Sequence, residues 1–323
     1  MKKVLVSGYI GFNNFGDEAI FKALREHLQS LNVKVYALSA SDNYDIKTYN
    51  YKSIVEIIKA ILSCDILISG GGSLLQNKTS NSSLIYYLSV IILAKLFFKK
   101  VIIFAQGIEP IKGKLFEFIT KNVLKCCDFI TTRDKKSSDL LANWGIKSET
   151  LSDPIYSILP EINKDKNGLI VQLRECALNV LDELARAIQE NYNGEISVLA
   201  LQDCDVDICK KFVEKLKKNG INSDCIYDNN VEQTIKLFNN AKYVISTRLH
   251  GLMVSNALGA HVFALSYDDK TQTVIEEFQL ENINLKNPIN LNEKISYFFQ
   301  NQRKNTDYRK FSFSKIDEVI NEF

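Results

Sequence analysis

Short apolar runs alternate with longer segments of helical period along the whole chain. In the first half the pattern predicts strands near 3–7, 33–38, 65–69, 101–105 and 128–132. Between them it predicts helices near 17–31, 53–63, 82–98, 113–126 and 135–144. Each strand is nearly all apolar instead of alternating, which marks parallel strands covered on both faces. After Pro154 and Pro160 comes the polar stretch EINKDKN at 161–167, a linker by composition. The pattern then restarts, with strands near 168–173, 195–201, 223–227, 242–246 and 261–266. The matching helices fall near 177–191, 205–219, 231–240, 250–258 and 271–279. The expected fold class is therefore α/β: two doubly wound Rossmann-like domains facing a central cleft, an N-terminal one over 1–160 and a C-terminal one over 161–290. The charged segment 291–323 reads as a helical tail. Its Ile316, Val319 and Ile320 share one helix face, which could pack back on the N-terminal domain.

Composition narrows the function. The 323 residues carry 40 Lys+Arg against 38 Asp+Glu, too even a balance for a dedicated nucleic-acid binder. The seven cysteines show no zinc spacing and read as reduced, mostly buried thiols of a cytoplasmic protein, with no metal implied. The N-terminal MKKVLV is too short in apolar residues for a signal peptide. The run LIYYLSVIILAKLFF at 84–98 falls short of the ~18–20 apolar residues that cross a bilayer, and Lys95 interrupts it. A buried helix on a sheet is the simpler reading, with a peripheral membrane contact as the alternative.

In open parallel sheets ligands bind beyond the carboxyl ends of the strands, and the unusual residues collect there. After the first strand runs GYIGFNNFGDEAI at 8–20, with Gly11, Asn14 and Gly16 in the loop and Asp17 and Glu18 opening the helix. The spacing fits neither the dinucleotide fingerprint nor a Walker loop. An acidic helix start disfavours phosphate, so a neutral hydroxyl-rich ligand such as a sugar is expected, with Asp17 accepting a hydrogen bond or a proton. The competing reading is that the two acids merely complement the helix dipole. After the third strand come Gly70, Gly71 and Gly72, which point to close backbone approach or to a tight turn. Arg133 ends the fifth strand, either for an anion or for an ion pair with Asp134.

The second half carries the strongest signal. Arg174 follows its first strand. The segment YVISTRLHGL at 243–252 delivers Arg248 and His250 from a buried strand to the head of a helix, and Lys270 follows the next strand. Cations at adjacent strand ends beside helix amides suit a small anion, and histidine exchanges a proton near neutral pH. The competing reading is salt bridges from these cations to Asp268 and Asp269. His27 reads as solvated, His261 as a buried imidazole and Trp144 as core.

Taken together, GYIGFNNFGDEAI, SGGGSLLQ at 69–76, FAQGIEPI at 104–111, TTRDKKS at 131–137, LSDPI at 151–155 and STRLHGLMVSNALG at 246–259 resemble the polysaccharide pyruvyl transferase family, in its bacterial cell-wall branch. The resemblance covers roughly residues 3–280. It implies a GT-B-like fold without a nucleotide-sugar donor. The implied donor is phosphoenolpyruvate, and no cofactor is implied. The implied acceptor is a sugar, often N-acetylmannosamine in a lipid-linked cell-wall precursor, which would bring the protein to the inner face of the membrane. The product is a 4,6-linked pyruvate ketal, with phosphate released. In that chemistry His250 would be the general acid, Arg248 and Lys270 would hold the phosphate, and Arg133 or Arg174 would take the carboxylate from across the cleft. Asp17 would assist the attacking hydroxyl, with Gly11, Asn14, Gly16, Glu18, Gly71 and Gly72 on the acceptor side. Two other readings stay open. One is a glycosyltransferase of the same fold using a nucleotide sugar, the other a non-catalytic sugar-binding protein of polysaccharide export.

Overall fold

The apolar runs become the strands of two parallel sheets in a computed structural model that describes residues 1–78, 80–301 and 311–323. The first sheet and its helices comprise β1 (Lys3–Ser7), α1 (Phe15–Ser30), β2 (Lys34–Ser39), β3 (Lys47–Asn50), α2 (Ile54–Ser63) and β4 (Ile66–Ser69). They continue with α3 (Asn81–Leu96), β5 (Lys100–Gln106), α4 (Lys114–Lys125), β6 (Phe129–Thr132), α5 (Lys135–Asn143) and β7 (Glu149–Thr150). Among the described residues the strand order is β3-β2-β1-β4-β5-β6-β7, all parallel. Leu5, Leu67, Val101 and Ile103 face α2, α3 and α4 on one side. Val4, Ile68, Ile102 and Phe104 face α1 on the other.

The second sheet runs through β8 (Asn167–Gln172), α6 (Leu181–Asn191), β9 (Ile196–Ala200), α7 (Val206–Lys218), β10 (Ser223–Tyr227) and α8 (Val231–Asn240). It continues with β11 (Ala241–Ser246), α9 (Leu249–Ala257), β12 (His261–Ser266), α10 (Asp269–Phe278), β13 (Glu281–Asn284) and α11 (Leu291–Gln300). Its order is β10-β9-β8-β11-β12-β13. In each sheet the order reverses once, between β1 and β4 and between β8 and β11. Those switch points open the crevice where such sheets bind ligands.

The chain divides into units between Ile158 and Leu159, and also in places the sequence pattern does not mark. Asn13–Phe15, inside the first glycine loop, belong with the second unit. The segment expected to form a single tail divides. α11 packs on α6 in the second unit, with Leu291, Ile295 and Phe298 in its core. The final helix, α12 (Ser314–Glu322), adds Ile316 and Ile320 to the core under α1 in the first unit. It is held there by Lys2 Nζ donating to the Asn321 carbonyl at 3.0 Å. His27, expected in solvent, instead lies 2.6 Å from Asp317 Oδ1 and stacks on Phe313 with ring centroids 3.8 Å apart. Cys126, Cys176 and Cys204 are exposed, where buried thiols are expected.

Candidate functional site

Each unit gathers its unusual residues at its switch point. In the first, the loop after β1 meets the loop after β4. Gly72 holds a φ of +79°, and a Cβ there would sit 2.6 Å from Asp17 Oδ1, so the Asp17 carboxylate lies over a backbone that only glycine leaves open. At Gly71 a Cβ would collide with the Ile20 side chain of α1. Gly72→Ala is expected to lower stability by about 1–3 kcal/mol, because it adds both a left-handed strain and a clash. Chemical denaturation measures it, and an unchanged midpoint would show that the loop has room.

Glu18 does not face outward. Its Oε1 accepts from the amides of Gly11 at 2.8 Å and Phe12 at 3.2 Å, while its Oε2 accepts from the Tyr44 hydroxyl at 2.6 Å. Its carboxylate shapes the loop. Burial, reinforced by Glu18, pushes the Tyr44 hydroxyl well above its ordinary range, so it stays a donor. Beside Asp17 runs a row of rings. Tyr9 stacks on Phe12 with centroids 4.1 Å apart, Phe12 meets Tyr51 edge-on at 5.1 Å, and Tyr86 lies between Tyr51 and Tyr87. Burial, then the charge of Asp17, raises the Tyr87 hydroxyl's pKa far above normal. Arg133, in the same unit, lies 3.4 Å from the buried Asp153 Oδ2 and 3.4 Å from Ser73 Oγ. Asp134 caps α5 through Ser137 and stands 4.0 Å away. The partner of Arg133 is thus chiefly the aspartate of LSDPI.

In the second unit a buried polar network organises the switch point. Gln172, the last residue of β8, accepts through Oε1 from Ser246 Oγ at 2.8 Å and from the Arg248 amide at 2.9 Å, and donates through Nε2 to Asp205 Oδ2 at 3.3 Å. Asp205 takes Arg248 in a fork, Nε on one oxygen and Nη2 on the other at 2.7 Å. The carboxylate side chain is 1% exposed and the guanidinium 12%. Burial opposes the Arg248 charge, but the bonds to Asp205 outweigh it and hold its pKa above the ordinary value. Arg248 Nη2 also donates to Gln202 Oε1 at 2.9 Å, and the same oxygen receives Asn14 Nδ2 at 3.2 Å. Asn14 is therefore wired to Arg248. Its loop is pinned by Phe15 N–H donating to the Leu201 carbonyl at 2.9 Å, and Phe15 packs on Phe238.

Arg248 is the N-cap residue of α9 and offers no side-chain bond to its amides. His250 sits in the first turn, and Gly251 lets the helix press onto β11, since a Cβ there would meet Ser246 Oγ at 2.4 Å. On the neighbouring strand end, Arg174 donates to the Tyr267 hydroxyl and lies 5.1 Å from its ring centroid. Burial pushes the Tyr267 hydroxyl up to about 12, while Arg174 and Arg248 both pull it down, so both cations act on one phenol. Lys270 is in the first turn of α10, and Asp268 caps that helix through the Thr271 amide at 2.9 Å.

The family model for polysaccharide pyruvyl transferase matches residues 14–269, most of the chain. The chain belongs to the polysaccharide pyruvyl transferase family. No curated protein sequence matches it significantly. Among solved structures it is similar to a UDP-GlcNAc 2-epimerase from Methanocaldococcus jannaschii, in complex with UDP-GlcNAc and UDP (13% identity, TM-score 0.65, 100% of both chains). It is also similar to a UDP-N-acetylglucosamine 2-epimerase from Rickettsia bellii (12%, 0.67, 100% of this chain and 97% of that one) and to MurG from Acinetobacter baumannii (12%, 0.57, 100% of both). At such identities the likeness is one of fold: two parallel-sheet Rossmann-like domains of GT-B type.

In this pyruvyl transferase chain, Arg174, Arg248, His250 and Lys270 follow β8, β11 and β12, three consecutive strands of one sheet. Arg174 shares a unit with Arg248, whereas Arg133 belongs to the other. Asp17, Gly11, Gly16, Gly71 and Gly72 gather at the first switch point, whereas Asn14 joins the second unit. Gln172, Gln202 and Asp205 had no sequence signal of their own.

Proposed function

We propose that this chain transfers pyruvate from phosphoenolpyruvate onto two hydroxyls of a sugar in a cell-wall or surface polysaccharide precursor, as a 4,6-ketal. The reading is carried by one observation: Arg174, Arg248, His250 and Lys270 follow adjacent strand ends at a switch point, around the start of α9. Phosphoenolpyruvate presents a phosphate and a carboxylate to such a set. His250 gives a proton to the methylene carbon, which becomes methyl and leaves C2 oxocarbenium-like. One sugar hydroxyl adds to C2, phosphate departs with the C2–O bond pair, and the second hydroxyl closes the ring as both hydroxyl protons are lost. Asp17 takes one of those protons and His250 recovers the other. The Tyr9–Phe12 ring pair and Tyr51 offer apolar faces that suit a pyranose.

Arg248→Ala is expected to raise the KM for phosphoenolpyruvate roughly 10–100-fold, the value of one or two charge-assisted hydrogen bonds. An unchanged KM places the anion elsewhere. The reading as a whole is tested by incubating the protein with phosphoenolpyruvate and a panel of lipid-linked saccharides, with mass spectrometry for one added ketal-linked pyruvate and a phosphate assay in parallel.

A second reading has one observation in its favour. Asp205 already matches the charge of Arg248, as a non-catalytic sugar-binding protein would tolerate. Thermal shift separates the readings: stabilisation by phosphoenolpyruvate supports transfer, stabilisation by UDP points to a nucleotide-sugar enzyme, and stabilisation by saccharide alone supports the binding protein.

A further inference from the structure

The helices α2, α3 and α4 lie side by side on one face of the first sheet, and each turns large apolar side chains outward. On α3, Leu84, Leu88 and Ile91 enter the core, while Ile85, Ile92 and Leu96 form a second stripe that is exposed. α2 adds Ile54 (70% exposed), Val55 and Leu62, and α4 adds Leu115 (68%) and Phe118 (64%). The helix expected to be buried is thus apolar on both faces and covered on one. Phe98, just beyond α3, is 95% exposed and holds a φ of +57°, where a helix end normally places glycine or asparagine. Both its exposure and its backbone oppose folding in water, so the fold itself does not call for a phenylalanine there.

Charge identifies the occupant. The segments 51–64, 80–100 and 112–127 contain Lys52, Lys59, Lys95, Lys99, Lys100, Lys112, Lys114, Lys121 and Lys125, against only Glu56 and Glu117. Both glutamates are engaged, Glu56 accepting from the Asn50 amide and Glu117 from the Trp144 indole. Lys95 and Lys100 are engaged by Asp128, leaving a lysine surplus on α2 and α4. The centres of protein interfaces are depleted in lysine, whereas apolar side chains set among lysines are the mark of a surface that rests on anionic lipid. Among the described residues no helix is long and apolar enough to cross a membrane, so contact would be along the surface.

We propose that the outer face of α2, α3 and α4 docks on an anionic bilayer, with the helices in the membrane plane. Ile54, Ile85, Leu115 and Phe118 lie within the first five residues of their helices, at the sheet edge that carries Asp17 and the glycine loops. A lipid-linked acceptor would then enter the site from the surface that holds the protein. The docking face stands on its own residues. The acceptor route rests on the function proposed above.

The test is co-sedimentation of the full chain with vesicles of phosphatidylcholine alone or mixed with phosphatidylglycerol. Binding to the anionic vesicles is expected, at least about tenfold weaker on the neutral ones. The triple variant Ile54→Ser, Leu115→Ser, Phe118→Ser should keep its thermal midpoint, because these side chains are exposed, and should bind anionic vesicles at least about tenfold less. Wild-type protein that stays in solution with both vesicle types overturns the proposal, as does a triple variant that binds unchanged. A wild-type dimer that the triple variant dissolves, with no vesicle binding, assigns the face to a second copy and also overturns it. The assay uses no substrate, so failure here leaves the proposed chemistry untouched, and a failed ketal assay leaves the docking face untouched.

Discussion

His250→Gln is expected to lower kcat by about 10²–10⁴-fold, the usual contribution of a general acid, with little change in the KM for phosphoenolpyruvate. Glutamine keeps a donor of similar length but cannot deliver a proton to carbon. The loss should therefore appear in turnover, with donor affinity kept by Arg248 and its neighbours. Steady-state phosphate release in the presence of acceptor measures it. Circular dichroism of the variant checks that α9, whose following residues are all buried, still forms. A variant that turns over near the wild-type rate would remove His250 from the mechanism and leave the proton donor to be found among the tyrosines.

The largest stability effect is expected at Asp205. Asp205→Ala strands a guanidinium that is almost as buried as the carboxylate that paired it, and breaking such a pair from one side costs roughly 3–5 kcal/mol. Gln172 loses a partner too, since its amide donates to the same carboxylate. That is a large part of a typical folding margin, so urea denaturation should show a much lower midpoint. Asp205→Asn should lose less, because it keeps one acceptor for the fork. If Asp205→Ala costs under about 1 kcal/mol, water reaches Arg248 freely and the network does not fix its position. An Arg248 released in this way should also bind the donor less well, so the same variant links packing to catalysis.

The elements legible in the sequence were those with a continuous apolar run. Val4–Val6, Ile66–Ile68 and Val244–Ile245 are covered on both sides, and burial leaves their composition no freedom. β3 (KTYN), β7 (ET) and β13 (ENIN) lie at or near sheet edges with polar faces, so nothing in their composition separates them from loops. At the site the glycines, Arg248 and His250 announced themselves by being rare residues at strand ends. Asp205 did not, because QDCDVD offers three aspartates and only the tertiary fold buries the middle one beneath Arg248. Nor could Glu18 be told from a ligand-binding acid, since its partners Gly11, Phe12 and Tyr44 become neighbours only once the loop has closed. Asn14 read as part of the first domain for the simpler reason of chain order.

The seating of α12 carries a consequence for biosynthesis. Ile316 and Ile320 share one core cluster with Val4, Ile68 and Phe104, residues that leave the ribosome long before them. During translation the part of that face not covered by α1 must therefore stay open, with its aliphatic surface available to chaperones, until the second unit has been made and α12 joins the core.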